Sequence, residues 1–138
     1  MLEIVTGTLI NEDKFLIGQR TSDNPNLPNY WELPGGKIDP TDKTPDDAIK
    51  REWKEELDID VTTYHLIPPR EIGEYMVYPF LLKYQSGKAK MNAHQEVKFI
   101  TFDEINDYKF TSISQKVIHI IKNSYKLFFN KRTLKDKL

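Results

Sequence analysis

The stretch that most constrains this chain runs from Trp31 to Ile59, WELPGGKIDPTDKTPDDAIKREWKEELDI, with Arg51-Glu52-Trp53-Lys54-Glu55-Glu56 at its centre. Side chains on an α-helix turn by about 100° per residue. A helix over residues 45 to 57 therefore carries Glu52, Glu55 and Glu56, at i, i+3 and i+4, on one face. Ile49, Trp53 and Leu57, at i, i+4 and i+8, give the same helix an adjoining apolar stripe to bury. Carboxylates gathered on one face repel one another unless positive charge sits among them. Two sources of that charge are open: Lys50, Arg51 and Lys54 as ion-pair partners on a solvated face, or a hard divalent cation. Mg²⁺ suits the second, because it prefers oxygen ligands and shares its shell with substrate phosphates. The glycines upstream weigh towards the cation. Gly35-Gly36 follows Pro34, which predicts a break in regular structure there, and paired glycines allow the close backbone approach of a phosphate-binding turn.

A chain of 138 residues is long enough to bury a core, and no repeat or linker divides it. One domain over residues 1–129 is expected, followed by a basic tail, residues 130–138, read as frayed. A formal net charge of −1 gives no overall field for nucleic acid or an anionic membrane, so an anionic substrate needs local cations and metal. The absence of cysteine excludes disulfides, thiolate metal sites and a cysteine nucleophile. MLEIVTGTLINEDK lacks the pattern of a signal peptide, and no apolar run reaches the ~18 residues of a membrane span. Cytoplasmic residence is the default expectation.

Along the chain, residues 2–10 and 14–20 read as a strand and its returning partner across Asn11-Glu12-Asp13. Residues 21–30, with two prolines and three asparagines, read as a loop. Further strands are predicted over 60–67, over 71–84 as one or two pieces, and over 95–102, with a turn over 85–90. A short turn or helix starts at Asp103. A last helix over 112–129 is predicted from Ile113, Val117, Ile120, Ile121, Tyr125 and Phe128, with Ser112 or Ser114 as N-cap. Strands on both sides of one helix, without regular βαβ alternation, indicate an α+β domain with a mixed sheet between helices.

The central stretch resembles the signature of the Nudix hydrolases: a glycine, a lone glutamate, then Arg-Glu-U-x-Glu-Glu-x-Gly-U, with U a bulky apolar residue. Gly36 matches the first glycine, Arg51-Glu52 the Arg-Glu pair and Trp53 the first apolar position. Glu55-Glu56 match the paired acids and Ile59 the last apolar position. WELPGGKIDP is similar to the lead-in of the MutT-like branch. Two departures stand out. Asp42 stands nearest the slot of the lone glutamate, one residue further from Arg51 than the pattern has it; Lys43 is the alternative occupant, and neither is given a ligand role. Asp58 replaces the glycine that closes the helix, at a cost of roughly 1 kcal/mol.

The resemblance implies an α/β/α sandwich and a Mg²⁺-dependent pyrophosphohydrolase, with Mn²⁺ an alternative ion. Its substrate class is a nucleoside diphosphate linked to another group. A (d)NTP leads, oxidised forms such as 8-oxo-dGTP included, cleaved to the monophosphate and pyrophosphate. Dinucleoside polyphosphate or capped-RNA cleavage trails, and a nucleotide-binding module without catalysis is the reading from a different class. Glu52, Glu55 and Glu56 are the implied metal ligands, grouped with Gly36. Arg51 belongs to the catalytic group as the brace of the carboxylates. Arg20, Lys37 and the Gly35 backbone are the candidate contacts to phosphate. The general base lies among Glu52, Glu55 and Glu96, the last as the distal acid that MutT-like members bring to the metal. His94 is read as a polar loop residue, Tyr75 and Tyr78 as core packing. Ser114 stands near a position that reads the base in some members. Oligomeric state is not legible.

Overall fold

The computed structural model describes residues 1–129. The segment read as a frayed tail, 130–138, lies outside the described residues. Strand β1 (Leu2–Asn11) turns into β2 (Lys14–Arg20). Then come β3 (Trp31–Glu32), β4 (Gly35–Lys37), helix α1 (Pro45–Leu57), β5 (Asp60–Leu66), β6 (Arg70–Ile72), β7 (Tyr75–Ser86), β8 (His94–Thr101) and helix α2 (Ser112–Ser124). Short 3-10 turns cover Phe102–Asp107 and Lys126–Phe128.

All eight strands join one mixed sheet. β1 runs parallel to β7 from Leu2↔Tyr75 to Leu9↔Leu82. Its other edge is divided, with β4 at Ile4 to Thr6 and β2 only at Ile10 and Asn11. β1 and β2 therefore part after the hairpin, and β3 and β4 fill the gap from either side. β8 lies on the far edge of β2, while β5 and β6 share the outer edge of β7.

The helices cover opposite faces. Ala48, Ile49, Trp53 and Leu57 of α1 pack with Val5, Leu9, Leu16, Phe80 and Leu82. Val117, Ile118 and Ile121 of α2 pack with Phe15, Ile17, Val77, Leu81 and Ile100. The alternation of β1, β2 and β7 supplies both layers, and the result is the expected α+β sandwich. Among the described residues no helix is long and apolar enough to cross a membrane.

The α1 bounds agree with the expected 45–57. Thr44 caps its start by accepting from the Asp47 amide, with Pro45 in the first turn. Asp58 closes it in the left-handed conformation, φ 56°, that its sequence position suggested. Three other expectations need correction. The N-cap of α2 is Thr111, because its hydroxyl accepts from the Ser114 amide while Ser114 is used elsewhere. α2 ends at Ser124, not 129: the tighter turn that follows brings Phe129 against Phe15 and Phe102, centroids 6.4 and 5.0 Å away. Gly35-Gly36 is not a break but the start of β4. The glycines permit that strand, since a Cβ at Gly35 would overlap the Val5 carbonyl opposite it.

Candidate active site

The site begins with how α1 is rotated on the sheet. Trp53 is fully buried, and its indole N–H donates to the Pro34 carbonyl at 3.0 Å. The indole nitrogen sits where a Cβ of residue 7 would be, so Gly7 makes the room. With Trp53 pinned, the acidic face of α1 turns towards β4. The Glu52 carboxylate lies against Gly36, whose missing Cβ would come within 2.7 Å of Oε2.

Arg51 organises the outer part of that face. Its Nε and Nη2 donate to the two Asp42 oxygens at 2.9 and 2.8 Å, and Nη2 also donates to the Lys37 carbonyl at 3.2 Å. Nη1 reaches Glu55 Oε1 at 2.7 Å and Glu52 Oε1 at 3.1 Å. Bonding from Arg51 holds the Asp42 carboxyl below the usual carboxylate range. Asp42 is thus a second partner of the guanidinium, and the longer spacing to Arg51 is accommodated by this clamp.

The inner part is crowded with acid. Burial, followed by bonding to Glu52 and the nearby charges of Glu52, Glu32 and Glu55, pushes the Glu56 carboxyl up to about 10. Two residues that sequence reasoning did not select complete this end. Glu32, on β3, accepts from Arg20 Nη1 at 2.9 Å through Oε1 and meets His94 Nε2 at 2.8 Å through Oε2. His94, 2% exposed, also stands 3.8 Å from Glu56 Oε1. Glu32, Glu56 and His94 together offer three ligand atoms within 4.8 Å of one another.

His94 reaches this place through a register shift between β2 and β8 next to Arg20. The shift reverses the simple alternation, so the imidazole faces α1 and lies against Gly18, whose missing Cβ would be 2.8 Å from the ring. A glycine inside the strand KFLIGQR was the available signal, because such a residue marks a bulge or a close approach. The expected loop position of Glu96 is corrected as well. Glu96 lies within β8, on the α2 face with Lys98 and Ile100, and pairs with Lys98 at 3.6 Å. The reading of His94 as a loop residue is corrected by its burial at the start of β8.

A cavity of about 760 Å³ opens where β1 and β2 part. Glu32, Glu56, Arg20, Lys37, Gly35 and Gly36 line one part of it; Ile4, Ile72, Tyr75, Ile113 and Lys116 line another. Arg20 is held there by Glu32 and by the Asn26 carbonyl at 2.9 Å. Ser114, also at the wall, is committed to the fold: its hydroxyl accepts from the Leu33 amide at 2.9 Å. Tyr75 packs on the α2-side core while facing the cavity, and Tyr78 donates to Glu3 at 2.6 Å.

Comparison with known proteins adds three findings. Residues 1–120 match the family model of the NUDIX domain. An 8-oxo-dGTP diphosphatase of Proteus vulgaris is 36% identical over 67 residues, which cover 48% of this chain and 58% of that protein. The match thus spans little more than half the length of that relative. Among solved structures, a MutT protein from Methanosarcina mazei superposes with a TM-score of 0.71 at 21% identity, covering 91% of this chain and 95% of that one. An ADP-ribose pyrophosphatase from Streptococcus suis gives 0.69 at 20% identity, covering 89% and 92%. At these identities the likeness of the solved structures is one of fold.

Proposed function

The chain belongs to the NUDIX family, and from that premise we propose that it is a divalent-metal-dependent nucleotide pyrophosphohydrolase. Its substrate in this reading is a nucleoside triphosphate, oxidised forms such as 8-oxo-dGTP included, and its products are the monophosphate and pyrophosphate. The observation that carries the proposal is the packing of Glu56 against Glu52, beside Glu32 and His94, at the wall of a nucleotide-sized cavity that also holds Arg20 and Lys37. Burial and like charge push the Glu56 carboxyl up to about 10, and a divalent cation there would offset both. The donors are mostly carboxylate oxygens, which fit Mg²⁺ or Mn²⁺. The name of the Proteus vulgaris relative agrees with the substrate class.

Glu52, Glu55 and Glu56, with the Gly36 backbone beside Glu52, would hold the ion. When bound, it supplies charge neutralisation and polarisation of the phosphate oxygens. Arg51 keeps Glu52 and Glu55 in place and stays protonated throughout, its pKa raised by the Asp42 bond first. Arg20 and Lys37 draw the phosphate chain to the carboxylate end of the cavity. With Glu96 on the far face, Glu52 and Glu55 are the remaining candidates for activating water, and Glu55 is the more open, its side chain 54% exposed.

The test is pyrophosphate release from a nucleotide panel, with and without Mg²⁺, with products identified, for the parent protein and for Glu55→Gln and Glu56→Gln. Metal-dependent turnover that both substitutions abolish, in variants that remain folded, is expected. Full activity in both would refute these roles, and nucleotide binding without turnover in the parent protein would point to a binding module.

A further inference from the structure

A helix leaves its last carbonyls without intrahelical partners, and these are ordinarily met by water or by a local cap. At the end of α1 they are met by a distant segment. The amide of Asp58 continues the helical pattern onto the Lys54 carbonyl at 3.0 Å. The next three carbonyls are all taken by residues 90–92, between β7 and β8. Asn92 Nδ2 donates to Glu55 O at 3.1 Å, the Asn92 amide to Glu56 O at 3.2 Å, and the Lys90 amide to Leu57 O at 2.8 Å.

The connection is fastened upstream as well. Tyr84 donates to the Gly87 carbonyl at 2.6 Å, and Gly87 (φ +103°) passes so close to the helix end that a Cβ there would be 2.5 Å from Asp58 O. Lys90 Nζ adds an ion pair with Asp58 at 3.3 Å. Downstream, the second residue after Asn92 is His94, which stands against Glu32 and Glu56. Asn92 therefore joins, through one residue, the backbone of two adjacent helix acids to the strand that delivers the imidazole beside one of them.

We propose that Asn92 is a positioning residue: it fixes the end of α1 relative to β8, and so sets Glu56 against His94, and the adjoining Glu55 in register with it, for metal binding. The proposal rests on the metal-dependent reading above. It goes beyond it by assigning the grip on metal in part to a residue that touches neither metal nor substrate.

The experiment measures Mn²⁺ binding by calorimetry, Mg²⁺-activated turnover and the thermal midpoint in the parent protein, Asn92→Ala and Asp58→Asn. Asp58→Asn removes the side-chain ion pairs to Lys54 and Lys90, leaves the carbonyl bonds of Lys90 and Asn92 in place, and tolerates the left-handed backbone. Asn92→Ala is expected to weaken Mn²⁺ binding, and to raise the half-activating Mg²⁺ concentration, by about fivefold, the factor of one lost hydrogen bond. KM for nucleotide at saturating metal stays unchanged, and Asn92→Gln, which keeps the amide donor, recovers part of the loss. Asp58→Asn lowers the midpoint and leaves the metal constants alone. If Asn92→Ala does not fold, Asn92→Ser takes its place with the same outcomes. Equal metal constants in the Asn92 variant and the parent protein overturn the positioning role while leaving the proposed function intact. Mn²⁺ binding weakened by the substitution, in a protein that hydrolyses no nucleotide, supports the positioning role and overturns the function. A parent protein that neither binds metal nor turns over overturns both.

Discussion

Replacing Asp42 by Asn tests whether the acidic face of α1 is held from outside the helix. Asp42 accepts three bonds: from Arg51 Nε and Nη2, at 2.9 and 2.8 Å, and from the Asp39 amide at 2.8 Å. Its side chain is only 4% exposed, while that of Arg51 is 28% exposed. An Asn side chain keeps one acceptor: with it at the Oδ2 position the bonds from Arg51 Nη2 and the Asp39 amide survive, and the bond from Arg51 Nε is lost to a facing N–H₂ group. Bonds to charged groups contribute about 1.5–3 kcal/mol each. Arg51 retains Glu52 and Glu55 and some contact with water, which discounts the loss to about 2 kcal/mol. For a chain of this size that lowers the thermal midpoint by about 6 °C. The pH dependence has a definite sign. Arg51 holds the Asp42 carboxyl below its ordinary value of 3.8, so its stabilisation is in place above that value and is lost as pH falls through the lower folded one. Thermal scans from about pH 8 to about pH 3 are expected to show a constant gap between parent protein and variant down to about pH 5, closing in stronger acid. A midpoint unchanged to within about 1 °C at neutral pH, or a gap that widens in acid, would refute the clamp.

The two neighbouring glycines separate stability from chemistry. Gly35→Ala drives a Cβ into the Val5 carbonyl of β1 and is expected to destabilise by about 3 kcal/mol or more in urea unfolding. Gly36→Ala meets the end of the Glu52 side chain instead, so melts stay near the parent value while metal-activated turnover falls about tenfold or more. Glu56→Gln, which spares the fold the protonation of a buried carboxyl, is expected to raise the metal-free midpoint by calorimetry and to eliminate the further rise that Mg²⁺ gives the parent protein. Ser114→Ala leaves the buried Leu33 amide without its acceptor and lowers stability by about 1–3 kcal/mol, read from denaturant midpoints.

Local regularities in the chain carried much of this. The α1 bounds follow from Thr44-Pro45 at one end and the Ile49/Trp53/Leu57 stripe along it, signals that act within a few residues. The hairpin of β1 and β2 and the long β7 are likewise written in runs of apolar and β-branched residues. What escaped depends on pairing across the chain. β3 and β4 are too short for any periodicity, and β4 exists because β1 offers it an edge and because Gly35 can approach Val5. Glu32 looks like an ordinary strand acid until Arg20 and His94 close on it. His94 reaches the acids through one register shift, which alternation within HQEVKFIT cannot reveal. Gly18 alone hinted that something large leans on β2 there.

The site therefore depends on core packing as much as on its acids. Trp53 is locked by the Pro34 carbonyl and by the space above Gly7, and it lies between Glu52 and Glu55-Glu56 in the chain. A turn of α1 about its axis large enough to separate the carboxylates would expel the indole from a core in which it is fully buried, at a cost of several kcal/mol. The mutual repulsion of a few partly solvated carboxylates is smaller than that. Burial of the apolar stripe thus forces the acids together, and desolvation with the neighbouring charge of Glu52 raises the Glu56 carboxyl. On the proposed function, Trp53, Arg51 and the segment that caps α1 would preorganise the acids, so that a cation would meet ligands already in place.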